Sequence, residues 1–172
     1  EHVGFQHDAR SLGLRDIDAW PLLPGILPGS DGQPVFLGSW EGEPVTCHAA
    51  LLNILSAEDV MIYGEGTIDG RAGFDTWWSG DRIAHEKRPE RGALPGGTAL
   101  GWRSRLIYAI DSHNLTFEGV TLTGSPSWTL HPLCCTDVRA VNLSITAPAD
   151  SPNTDGLNPE SCTGVTITGV HF

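Results

Sequence analysis

The sequence predicts an all-β solenoid, a right-handed parallel β-helix, and three observations carry that prediction. The first is a repeat. NLTFEGVTL from Asn114, DVRAVNLSI from Asp137 and GVTITGVHF from Gly164 each open on a turn-forming residue and then repeat one apolar pattern. It runs Leu115, Phe117, Val120, Leu122 in the first copy, Val138, Ala140, Leu143, Ile145 in the second, and Val165, Ile167, Val170, Phe172 in the third. The second observation is spacing: the starts lie 23 (137 − 114) and 27 (164 − 137) residues apart, the length of one solenoid coil. The third is composition, with 21 Gly and 12 Pro favouring turns over long helices. Within each copy the strand alternation breaks by one residue, as a bend between two short strands requires. A β-sandwich is the rival, but it wants hairpin signals such as Asn-Gly between strands, and the chain has none.

Taken in order, residues 11–35 carry Pro21, Pro24, Pro28 and Pro34 and read as extended chain and loop. HAALLNILSAEDV reads as one strand leading into the first coil. DVMIYGEGTI from Asp59 is a looser copy of the repeat: Val60 and Ile62 keep the phase and its second half slips by one residue. GEGTIDG within it is a Gly-rich turn that closes a coil. It fails as a dinucleotide fingerprint, because Asp69 stands where the third Gly is needed and no helix follows. Residues 71–104 are polar, rich in Gly, Arg and Trp, and lack a strand period. A stretch this long between regular coils is expected to be an excursion lining one side of a groove. The whole is one partial β-helix domain: an irregular segment 1–45, coils from about 46, the excursion 71–104 and regular coils 105–172. The pattern runs to the last residue, so the chain reads as a piece of a longer solenoid, with the apolar column of its last coil uncapped and prone to association.

The formal charge of −11 argues against nucleic acid or an anionic membrane as a partner. No apolar run reaches the roughly 18 residues of a spanning helix. Cys47, Cys134, Cys135 and Cys162 form no CxxC pair, which excludes a zinc ribbon and favours buried free thiols. Asn114-Leu-Thr and Asn142-Leu-Ser fit the glycosylation sequon but lie in predicted strands. The compartment stays open, secreted or periplasmic as well as cytoplasmic.

Two groups of residues point to carbohydrate chemistry. Trp77, Trp78, Trp102 and Trp128 lie in polar or loop contexts, where an indole either stacks on a sugar ring or anchors the loop to the body. His131 follows Trp128 at the same coil edge. Trp128 and His131 are therefore candidate substrate-binding residues. The second group is SPNTDGLNPESC, a polar stretch at the corner where the coil lengthens. Cleavage of a glycosidic bond needs two carboxyl groups either side of it, and Asp155 is the candidate for one. Asp150 and Glu160 are near in sequence, without a spacing that pairs either with it.

SPNTDGLNPESC resembles the Asn-Thr-Asp motif of the polygalacturonases, glycoside hydrolase family 28. GEGTIDG with its following Trp pair, RLIYAIDSHNLTFEGVTLTGSPSWTLHP and CTGVTITGVHF resemble successive coils of that family, and SWEG at Ser39 is similar to bacterial members of exo-acting type. The resemblance implies a right-handed parallel β-helix that hydrolyses α-1,4 links of pectin or polygalacturonate with inversion. It implies no metal and no organic cofactor, and a pectic polysaccharide or oligogalacturonide as partner. By motif, Asp155 is one of three active-site aspartates and acts as base on the attacking water; Asn153 holds the substrate or orients that carboxylate. Acid and base in an inverting site stand about 6.5–9.5 Å apart. The sequence departs from the family pattern in lacking an Asp-Asp pair, which carries the general acid, and the later Gly-His-Gly and Arg-Ile-Lys motifs. The expectation is that these 172 residues alone release no reducing ends. A noncatalytic polysaccharide-binding or adhesin-like β-helix is the alternative. A pectate lyase is distant, since residues for calcium-bridged catalysis are missing.

Overall fold

The computed structural model describes residues 20–23, 26–29, 32–80, 83 and 102–172. Residues 1–19 and the middle of the 71–104 excursion lie outside the described residues. The rest is a parallel β-helix of four coils with three sheets. The first sheet stacks Leu52–Leu55, Ile107–Ile110 and Leu130–Leu133, and single bridges from Leu130 to Leu157 and from Leu133 to Glu160 add a fourth rung. The second stacks Glu58–Tyr63, His113–Glu118, Thr136–Val141 and Thr163–Thr168. The third stacks Thr67–Asp69, Thr121–Thr123 and Ser144–Thr146, continued by a bridge from Ser144 to His171.

The predicted repeat is the register of the solenoid. Val60, Leu115, Val138 and Val165 form one row, Ile62, Phe117, Ala140 and Ile167 the next. Ile68, Leu122 and Ile145 form a third row. Its pairing with the first coil runs one residue shorter than in the second sheet, which is the slip expected after Tyr63. These side chains fill the interior: Leu115 and Leu122 are fully buried and Phe117 is 1% exposed. No single coil buries such a column; stacking does. In the last coil Ile167 is 49% and Phe172 65% exposed.

The bends are set by residues that tolerate left-handed backbone. Ser56, Asp111, Cys134 and Ser161 form one row of positive φ, at 46°, 46°, 51° and 52°. Asp59, Asn114 and Asp137 form a second, continued by Gly164. Gly64, Gly119, Asn142 and Gly169 form a third. Asn, Asp and Gly are the residues for which this conformation costs least. The first row also corrects one expectation. HAALLNILSAEDV is two strands, split where Ser56 turns the chain from the first sheet to the second.

The segment before the coils is more ordered than a proline-rich loop. Ile26–Pro28 pairs antiparallel with Pro34–Phe36, and Ser39–Trp40 with Glu43–Pro44 around a two-residue turn with Glu41 and Gly42 at φ 52° and 84°. This segment lies on the outer face of the first sheet, where Val35 and Ala50 pack against Tyr108, Ile110 and Leu133. Trp77 and Trp78 anchor the start of the excursion. Trp77 meets Trp20 and His48 edge-on at 6.1 and 5.3 Å. Trp78 Nε1 donates to the carbonyls of Ser125 and Pro126 at 3.3 and 3.2 Å. Both indoles, and Trp102, are buried, so the anchoring alternative holds for these three.

Candidate active site

SPNTDGLNPESC folds as a turn that runs into the fourth rung of the first sheet. Ser151 closes the turn by donating Oγ and N–H to the Pro148 carbonyl at 2.6 and 3.0 Å. The chain then joins the sheet edge. The amides of Thr129 and Leu130 donate to the carbonyls of Asp155 and Gly156 at 2.8 and 3.1 Å, and those of Asn158 and Glu160 donate back to Leu130 and Pro132. Asp155 is thus seated one coil away from Trp128, with its side chain exposed. At Gly156 an added Cβ would meet the Phe172 ring, which is exposed and would have to turn aside.

Asn153 is also exposed and holds a left-handed φ of 57°. Its side chain is fixed from below. Arg103, 1% exposed, donates Nη2–H to Asn153 Oδ1 at 2.7 Å and Nη1–H to the carbonyls of Pro152 and Pro126 at 2.7 and 3.1 Å. One buried guanidinium ties the motif to the preceding coil.

His131 lies deeper. It is fully buried and engaged at both nitrogens. Arg105 Nε sits 3.2 Å from His131 Nδ1, and His131 Nε2 sits 3.0 Å from Glu160 Oε2. A guanidinium only donates, so Nδ1 is the acceptor and the neutral ring carries its proton on Nε2, which donates to Glu160. Ser39 Oγ donates to the same carboxylate, 2.8 and 3.1 Å from its two oxygens. Burial lowers the His131 pKa below its ordinary value, which keeps the ring neutral. The hydrogen bond from His131, with that from Ser39, holds Glu160 below the usual carboxylate range. Burial pushes the stacked Tyr108 hydroxyl up.

Aromatic rings wall in the arginines. Trp40 stacks on Trp128 at 4.8 Å and on Trp102 at 4.7 Å. The Arg105 guanidinium lies 5.3 Å from the Trp40 ring centroid, 4.9 Å from that of Trp128 and 5.3 Å from that of Tyr108. Trp128 is 9% exposed and meets His131 edge-on at 4.9 Å. Trp128, His131, Asn158 and Glu160 line one open cleft of about 410 Å³ beneath the Glu41–Gly42 turn. Asn158 Oδ1 is buried and has no hydrogen-bond partner among the described residues. Only Trp128 offers this cleft any ring surface; His131 lies behind it with no exposed surface and both nitrogens taken.

The four candidate residues therefore fall into two layers. Asn153 and Asp155 are exposed on the loop, while Trp128 and His131 are packed beneath and beside it. The reading of the sequence missed Arg103 and Arg105, and weighed Glu160 only as a partner for Asp155. The alternation RSR directly before LIYAI was the available signal, since it continues that strand into the excursion and puts two cations on one side of it.

The sequence profile described as glycosyl hydrolases family 28 matches residues 39–171, which includes every residue of this site. A probable polygalacturonase of Vitis vinifera is 32% identical over 170 residues, covering 98% of this chain and 30% of its own. Among solved structures, a hyperthermoactive exopolygalacturonase from Thermotoga maritima superposes with a TM-score of 0.61 at 28% identity, over 83% of this chain and 38% of that one. A polygalacturonase from Erwinia carotovora ssp. carotovora does so with a TM-score of 0.60 at 28% identity, over 72% and 32%. The chain thus spans about a third of the length of the relatives it matches. With the parallel β-helix, the repeat register and the Asn153–Asp155 loop all inside the matched span, the chain belongs to the glycosyl hydrolases family 28.

Proposed function

We propose that this chain carries the base side of a glycosidase site that hydrolyses α-1,4-galacturonosidic links of pectin or polygalacturonate with inversion. Asp155 takes a proton from the attacking water. Asn153, held at Oδ1 by Arg103, keeps its amide NH2 directed by that bond and free to donate to a sugar hydroxyl or to the carboxylate. Trp128 forms the cleft wall against which a sugar ring rests, and the buried His131 backs that indole edge-on from behind. The observation that carries this reading is the exposed Asp155 carboxylate on a loop fixed by a buried arginine, since a general base must be both reachable and positioned. The general acid is expected from an Asp-Asp pair, which these 172 residues do not contain.

Two measurements on the chain and its Asp155→Asn variant test this. Calorimetric titration with trigalacturonate should show binding that a neutral trisaccharide does not give, and Asp155→Asn should leave it within about threefold, as expected for a group acting mainly in the transition state. Incubation with polygalacturonate should release no reducing ends. Release that disappears in Asp155→Asn would put a complete hydrolytic site in these residues. A chain that binds neither ligand overturns the reading. Binding of both ligands alike favours the alternative, a noncatalytic polysaccharide-binding β-helix.

A further inference from the structure

Cys135 and Cys162 occupy equivalent positions on adjacent coils, each directly before a strand of the second sheet. Thr136 pairs with Thr163, and the Thr163 amide donates to the Cys135 carbonyl at 2.9 Å. The two cysteines are therefore register neighbours. Adjacent strands lie about 4.8 Å apart, inside the Cα separation of roughly 4.4–6.8 Å that a disulfide spans. Cys135 Sγ donates to the Leu133 carbonyl of its own turn, and Cys162 Sγ to the Glu160 carbonyl of its own turn and to that of Pro132 on the neighbouring coil, all at 3.3 Å. Both are unbridged; Cys135 is fully buried, Cys162 half-buried.

We propose that Cys135 and Cys162 form a dithiol that closes reversibly to a disulfide by exchange with a small-molecule disulfide. The half-buried Cys162 is the entry point. Its thiolate attacks one sulfur of the incoming disulfide, a new S–S bond forms, and one thiolate leaves. Cys135 then gives up its proton to solvent and attacks the Cys162 sulfur, which expels the second thiolate. The pair loses two electrons and the small-molecule disulfide gains them, so no other oxidant is needed. The thiol pair suits this order. The Cys135 hydrogen bond lowers Cys162 to about 7, while Cys135 is pushed up by the same contact and by burial; Glu160, beside Cys162, opposes the first shift. Of the other two thiols, Cys47 is buried against Arg105, and Cys134 sits in the left-handed turn row beside Ser161. Direct stacking on parallel strands fixes the two backbones relative to each other, so a bridge there has little freedom to relax. The bridge would tie the coil bearing Glu160 to the coil bearing His131.

The reduced 172-residue chain, incubated with oxidised glutathione at neutral pH, quenched with acid and N-ethylmaleimide and cut with trypsin, tests this. Cleavage after Arg105 and Arg139 puts Cys135 and Cys162 on separate peptides, 106–139 and 140–172. The expected product is a cross-link between them that persists in Cys134→Ser and is lost in Cys135→Ser, where Cys162 instead retains one glutathione. No cross-link, or one that survives Cys135→Ser, overturns the proposal. A second measurement needs no variant: with limiting iodoacetamide on the folded chain, Cys162 should alkylate about fivefold faster than any other cysteine, its larger thiolate fraction outweighing its lower nucleophilicity. Preferential labelling elsewhere also overturns it.

Discussion

His131 Nε2 donates to Glu160 Oε2 across 3.0 Å, joining one coil of the first sheet to the next through a ring with no exposed surface. Both partners titrate in the same sense. Burial holds His131 below its ordinary 6.5, so the unfolded chain takes up a proton that the native ring refuses, and stability falls as pH drops below about 6.5. Glu160 is held below 4.5 by the His131 hydrogen bond, so its contribution is present above that value and lost as pH falls through the lower folded one. The melting temperature should therefore fall by several degrees from neutral to acid pH. His131→Gln should flatten the part between pH 6.5 and 4.5 and also weaken the more acidic part, since the His131 hydrogen bond is the main cause holding Glu160 low and the bond from Ser39 remains. A profile unchanged by that variant in calorimetry would show that His131 does not set it.

Arg105 should resist even its closest replacement. It donates to His131 Nδ1, Cys47 Sγ and the carbonyls of Arg103 and Ser39, while its flat face lies against three rings. Lysine keeps the charge but has neither the forked donors nor the planar face. Arg105→Lys is expected to destabilise by about 2–3 kcal/mol in urea unfolding, the scale of lost hydrogen bonds to a charged group.

Arg103 should act more locally, on the loop that presents Asp155. Hydrogen bonds from its guanidinium end on Pro126, Pro152 and Asn153, all at or beside that loop and its neighbouring coil. Arg103→Met should therefore loosen residues 151–156 before the solenoid as a whole. The amides of Thr129 and Leu130 bond the Asp155 and Gly156 carbonyls, and they report on this. Their hydrogen exchange should accelerate about tenfold, equivalent to roughly 1.4 kcal/mol of local opening, with the amides between Leu115 and Val138 unchanged.

The fold was legible because a solenoid writes its long-range pairing as a local repeat. Leu115, Val138 and Val165 are distant in sequence yet occupy the same place in each copy, so aligning copies is already aligning coils. The exposed layer of the site was legible for a related reason: Asn153 and Asp155 share one loop. The buried layer was not. Arg105, His131 and Glu160 meet only after the excursion and the lengthened corner are placed, and the partner that covers them, Ser39, comes from a segment with no repeat at all. Polar residues before a strand are ordinarily solvated, and nothing in RSR marks the guanidiniums as enclosed until Trp40 and Trp128 are known to close over them.

The turn rows allow a sharper test of how the coils are held. Asn114 combines two roles: it holds a left-handed φ of 53° and its side chain bridges neighbours, Nδ2 donating to Asp59 Oδ1 and Oδ1 accepting from Arg139 Nη1 at 2.8 Å. Backbone strain and side-chain bonding are separable by substitution. Glycine keeps the conformation and loses the bridge; alanine loses both. The bridge is exposed, where such contacts contribute little, whereas left-handed alanine costs about 1–2 kcal/mol. Asn114→Ala should therefore destabilise by about 1–2 kcal/mol and Asn114→Gly by well under 1 kcal/mol, read as urea midpoints at constant slope. Equal losses in the two variants would mean that the Asp59–Asn114–Arg139 ladder, not the backbone, holds this corner.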